Sequence, residues 1–162
     1  MKKHIRLTGI SLVIVIFDQI TKYVILQSLQ LHHAIPVIPN FFNIVHIQNP
    51  GGAFGLFADQ HVLIRGLVFI VFSFVAMGIV LYLYLQTPEN QPWLLVGLAM
   101  IFGGAIGNMI DRLRYGKVVD FLDFYIGTFH WPAFNVADSA ISIGMVIFGF
   151  YILFHPVTTA ES

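Results

Sequence analysis

Residues 103–125 read GGAIGNMIDRLRYGKVVDFLDFY, and FNVADSAI follows at 134–141. The first stretch begins as an apolar helix and leaves it through a polar, basic turn. The second re-enters an apolar run with Asn135 and Asp138 just inside it. Of the eight acidic residues in the chain, Asp111, Asp120, Asp123 and Asp138 all fall here. Ionisable groups beside membrane-length apolar runs are costly and mark function by default. Two carboxylates from separate segments therefore point to acid–base chemistry at a bilayer surface.

Composition sets the surroundings. The 162 residues are 57% hydrophobic and only 10% charged, against about 25% charged in soluble chains. The length suits one membrane domain covering 1–162. A formal net charge of +0, with no basic tract, argues against nucleic acid as a partner. With no cysteine, disulfides, thiolate nucleophiles and cysteine-rich metal sites are excluded.

Working outward, four apolar runs predict four membrane helices at about residues 7–28, 62–85, 93–113 and 136–154. The first lacks a small-residue cleavage site after its basic head and resumes beyond Asp18-Gln19-Ile20-Thr21-Lys22, so it reads as a span and not a cleaved signal. Asp18 and Lys22, at i and i+4, share a helix face and can pair; the two readings are an interior structural salt bridge and a direct catalytic role for Asp18. Arg65 is placed to snorkel at the start of the second span. In the third, Ala99, Gly103 and Gly107 recur every four residues, as Ala140 and Gly144 do in the fourth, which permits close helix contact. Asn108, Asp111 and Arg112 form a polar cluster at one end of the third span.

Between the first two spans, residues 29–60 carry Pro36, Pro39, Pro50 and the Gly51-Gly52 pair around short β-type runs. This predicts a small extramembrane β-rich cradle between helices 1 and 2, lying on the bilayer. The basic head places the termini in the cytoplasm. The other five cations (Lys22, Arg65, Arg112, Arg114 and Lys117) sit at the opposite end and run against that count.

Asp120 lies in an extended run just outside span three, and Asp138 one helical turn after Asn135. Antiparallel packing of spans three and four brings both to one interface, where neighbouring carboxylates share a proton. The ionised member then draws a proton from water while its partner protonates a substrate carbonyl. Asn135, Asn108 and Arg112 are candidates to orient the pair or hold substrate amides. Asp123, three residues after Asp120 on a strand, points away and reads as structural. Pattern alone leaves two readings open: a hydrolase, or a small proton-coupled transporter using the same carboxylates. None of the seven histidines has an H-E-x-x-H context, so no metal is expected.

GNMIDRLRYGKVVDFLDFY and FNVADSAISIG resemble the signature blocks of the lipoprotein signal peptidases (signal peptidase II), bacterial membrane aspartyl proteases. The Asp18…Lys22 pair and the Asn49-x-Gly-x-Ala-Phe segment resemble that family too, in matching order; Gly52 and Gly55 stand where it more often has alanine and serine. The resemblance implies an α-helical integral membrane protein with cytoplasmic termini, a periplasmic β-cradle and a site at the outer face of the bacterial inner membrane. It makes Asp120 and Asp138 the catalytic dyad, with Asn49, Asn108, Arg112 and Asn135 around the substrate, and Asp18, Lys22 and Asp111 as polar supports. Phe54, after the glycine turn, is placed to cover the lipid-modified residue. The implied substrate is a prolipoprotein whose cysteine carries a diacylglyceryl group, cut N-terminal to that cysteine. Membrane lipids and globomycin-type cyclic peptide inhibitors are implied as further partners, and no cofactor, because the dyad activates water itself.

Overall fold

The computed structural model describes residues 2–51 and 62–154, with side chains in the second segment from residue 66. Phe54, Gly52 and Gly55, and the side chain of Arg65, lie outside the described residues. The elements run α1 (Lys2–Ser28), β1 (Ala34–Ile38), β2 (Phe42–Asn49), α2 (Val62–Gln86), α3 (Pro92–Tyr115), β3 (Val118–Ile126), β4 (Phe129–His130) and α4 (Val136–Phe154). All four helices are long and apolar enough to cross a membrane, as the hydropathy predicts. The basic head is not a separate tail: from Lys2 it is the first turn of α1. There Lys3 Nζ donates to the carbonyls of Leu85 and Thr87 at the end of α2, at 2.7 and 2.6 Å. A cation at a helix C-terminus meets its unpaired carbonyls and the negative end of its dipole.

α3 is the central helix, buried along most of its length, whereas α2 turns Leu67, Val71, Phe72, Phe74 and Ile79 outward. Proline at the start of α3 and a left-handed Gly116 (φ 67°) at its end fix its boundaries. Small residues let its neighbours approach. A methyl added at Gly103 would stand 2.8 Å from the backbone of Ser11 on α1, and one at Gly144 2.5 Å from the carbonyl of Gly97. The four-residue spacing read from the sequence thus serves two different partners. Gly103 and Gly107 admit α1, while Gly144 admits α3 to α4.

The cradle is larger than the segment between α1 and α2. Its four-stranded sheet has the order β1-β2-β3-β4, and the last two strands come from the connection between α3 and α4. β2 pairs antiparallel with β3, setting Ile47 opposite Asp120 and Asn49 opposite Val118, with an irregularity between Ile44 and Ile47. Asn40 (φ 62°) and Gly127 (φ 61°) take the left-handed conformation in the two hairpin turns, where Asn and Gly carry least strain. Ile25 of α1, with Val119 and Phe121 of β3, forms an apolar cluster that seats the sheet on the bundle. His46 adds a polar tie, its Nδ1 donating to the carbonyl of Leu29 at 2.8 Å.

Candidate active site

α4 begins on a reciprocal cap. The Asn135 side chain accepts the backbone N–H of Asp138 at 2.9 Å, and the Asp138 carboxylate accepts the backbone N–H of Asn135 at 3.3 Å. This is capping-box logic with Asn and Asp in place of Ser and Glu. Because its oxygen is used in the cap, the Asn135 amide nitrogen faces the other way. It donates to Asp120 at 2.7 Å, to the Val119 carbonyl at 3.2 Å and to Asn108 Oδ1 at 3.3 Å. One fully buried amide therefore bridges the strand carrying Asp120 and the helix carrying Asp138.

Each carboxylate has a second amide donor. Asn49, at the end of β2, donates to Asp120 Oδ2 at 3.1 Å, and Asn108 of α3 donates to Asp138 Oδ1 at 2.7 Å. Both carboxylates line one cleft of about 610 Å³, walled by residues 131–134 and by Ser139, Ser142 and Ile143 of α4. Burial, and then the neighbouring Asp138 charge, push the Asp120 carboxyl up to about 7. The hydrogen bonds from Asn49 and Asn135 and the charge of Lys22 pull the other way.

Behind the pair lies an ionic cluster that ties α1, α3, β3 and α4 together. Lys22, almost fully buried, contacts Asp18 at 2.8 Å and Asp111 at 2.9 Å, and donates to Asn108 at 3.0 Å. The i,i+4 pair expected on α1 is thus two members of a three-member cluster. Asp18 also accepts the backbone N–H of Ala137 at the start of α4 (2.9 Å), where the helix dipole favours an anion. Asp111 accepts the N–H of Val119 on β3 at 3.1 Å.

Arg112 departs from its helical neighbours. Asn108 and Asp111 face Lys22, while the Arg112 guanidinium stands 6.0 Å from the centre of the Phe69 ring on α2. It remains within electrostatic reach of Asp138, Asp111 and Asp120. Asp123 is on the other side of β3, held by Asn43 at 2.9 Å and by His130 at 2.9 Å. Gln19 was not singled out in the sequence. Its amide donates to Asp111 (2.9 Å), Asp18 (3.2 Å) and the Gly107 carbonyl (3.2 Å). Its signal was its place in the polar interruption of an apolar run, beside Asp18.

Fold and site together define a multi-pass membrane protein in which two carboxylates, bridged by a helix-capping asparagine, share a cleft at one end of the helix bundle. Residues 10–154 match the sequence model of the family described as signal peptidase (SPase) II. The chain is 52% identical to a lipoprotein signal peptidase of Desulforapulum autotrophicum, over 94% of each chain. It is 44% identical to one of Burkholderia mallei, over 86% of this chain and 82% of that one. Among solved structures it resembles a bacterial membrane enzyme determined by the in meso method at 2.3 Å resolution. There the TM-score is 0.83 at 31% identity, with 96% of this chain and 92% of the other covered. The chain belongs to the signal peptidase II family.

Proposed function

We propose that this chain is an aspartyl endopeptidase that removes the signal peptide from diacylglyceryl-modified prolipoproteins, cutting N-terminal to the lipidated cysteine. The observation that carries the reading is the convergence of Asp120 and Asp138 on one cleft, joined through Asn135. Asp120 holds the proton, since burial and the Asp138 charge favour its neutral form. Asp138 is the base. It sits in the first turn of α4, held by the Asn108 amide and the backbone N–H of Asn135.

A water between them loses a proton to Asp138 as its oxygen attacks the scissile carbonyl carbon, and Asp120 protonates the carbonyl oxygen. The tetrahedral diol then collapses. Asp138 delivers its proton to the cysteine nitrogen, the C–N bond breaks, and Asp120 recovers its proton from the diol hydroxyl whose oxygen becomes the carbonyl of the new carboxyl group. Asn49, Asn108 and Asn135 keep both carboxylates aimed throughout, and Arg112 supplies compensating charge.

The same carboxylates would also suit a proton-coupled transporter, but family membership favours hydrolysis. We place the protein in the bacterial inner membrane as a single domain, with its amino-terminal head in the cytoplasm and the cleft at the outer face. The buried ion pairs of Lys22 and the position of Arg112 among carboxylates support this orientation. Neither is a free flanking charge, so neither opposes the basic head. The deciding experiment is cleavage of a purified diacylglyceryl prolipoprotein in detergent with a chelator present. Product beginning at the modified cysteine supports the reading, and no product from folded enzyme overturns it.

A further inference from the structure

The face of α4 that lines the cleft carries two serines, and they differ. The Ser139 hydroxyl donates to the Asn135 carbonyl at 2.8 Å, the usual four-back bond of a helical serine. Ser73 and Thr87 do the same at 2.7 and 2.8 Å. Ser142 is exposed and has no hydrogen-bond partner among the described residues. From Ala140 onward the other exposed side chains of α4 are Ile143, Met145, Val146, Phe150, Ile152, Leu153 and Phe154, all apolar. A single unpartnered hydroxyl thus stands on an otherwise apolar helix face, inside the cleft that holds both carboxylates. At membrane depth an unsatisfied donor is unfavourable, and a polar partner arriving with the substrate gains accordingly.

We propose that the Ser142 hydroxyl donates to an ester carbonyl of the diacylglyceryl group on the substrate, which makes it a specificity determinant for lipid-modified chains. The inference rests on the function proposed above. Ser142 lies four residues beyond Asp138, roughly 6 Å further along α4, in the direction that leads from the site into the apolar layer. The seven bonds that run from the scissile nitrogen through the thioether and glycerol carbons to the nearer ester carbonyl are long enough to span that distance. The lining segment Trp131, Pro132, Ala133 and Phe134 offers apolar surface to the chains but no side-chain donor except the Trp131 indole.

The test uses two full-length, matched prolipoprotein substrates, one with a diacyl (ester) glyceryl group and one with a dialkyl (ether) group that lacks both carbonyls. The expected preference of the native enzyme for the ester substrate is about three- to tenfold in kcat/KM, carried mainly by KM, as one neutral hydrogen bond would give. Ser142→Ala should abolish that preference, and Ser142→Thr, which keeps the hydroxyl, should retain it. Alanine at an exposed helical position does not threaten folding. A preference that survives in Ser142→Ala, or that the native enzyme never shows, overturns the proposal. Cleavage of neither substrate by native enzyme overturns instead the function on which it rests.

Discussion

Lys22 donates to Asn108 Oδ1 at 3.0 Å, and together with the Asn135 amide on the same oxygen it sets which end of the Asn108 amide faces Asp138. With the oxygen held by the ammonium, the nitrogen is left to donate to the carboxylate at 2.7 Å. A buried salt bridge on one helix and an amide on another therefore act as one positioning unit. Removing the ammonium leaves the Asn135 amide as the remaining donor to that oxygen and leaves Asp18 and Asp111 uncompensated.

Lys22→Met should accordingly destabilise the protein by about 3–5 kcal/mol. The pairing expected from sequence suggests that neutralising Asp18 as well would relieve the loss. The structure alters that expectation, because Asp111 also depends on Lys22 at 2.9 Å. We expect Asp18→Asn/Lys22→Met to remain destabilised and the triple variant with Asp111→Asn to regain more. Thermal unfolding in detergent measures both. A double variant as stable as the triple would show that Asp111 does not need the ammonium.

Asp120→Asn and Asp138→Asn should each lower cleavage by about 10³-fold or more while the protein still folds. The Asp120 carboxyl rises from 3.8 to about 7 in the fold. The folded chain thus binds this proton more tightly than the unfolded chain does, and stability falls as pH rises from about 4 through 7. Asparagine removes that penalty. Between about pH 4 and 7, Asp120→Asn should therefore lose less stability with rising pH than wild type does, and an unchanged slope would contradict the electrostatic account.

Activity should fall on the alkaline side with an apparent pKa near 7 that belongs to the pair. The Asn49 hydrogen bond favours the charged form of Asp120. Asn49→Ala withdraws it, so the alkaline limb of kcat/KM should move to higher pH. An unmoved limb, or one displaced downward, would separate Asn49 from the titrating group.

Gly107→Ala should be disruptive, because the added methyl would stand 2.6 Å from Asp18 Oδ2 and push on the ionic cluster. A loss of about 1–3 kcal/mol is expected for such overpacking. Gly78→Ala on α2 meets nothing within 4 Å and should be neutral or slightly stabilising. Equal effects at the two positions would mean that α1 and α3 do not pack this closely in the bilayer.

Orientation can be read with introduced cysteines, since the chain has none of its own. In intact cells, a cysteine at Thr128 in the β3–β4 turn should react with a membrane-impermeant thiol reagent. One at Asn90, between α2 and α3, should be protected. The opposite pattern would put the carboxylates on the cytoplasmic side.

Hydropathy by itself determined the four helices, because twenty-odd apolar residues have few other ways to satisfy their backbone. The i,i+4 spacing determined that Asp18 and Lys22 meet, since helix geometry fixes neighbours along one chain. The Asn135…Asp138 spacing held the cap in the same local way. What crosses between elements was decided only by the tertiary structure. Asp111 and Asn108 share Lys22 with Asp18 across two helices, β3 completes a sheet begun before α2, and Arg112 turns to Phe69 instead of following Asn108. Side-chain spacing along a segment is set by that segment's own geometry. Which faces meet is set by where small residues let helices close and where strands find register, and both depend on the whole chain packing at once.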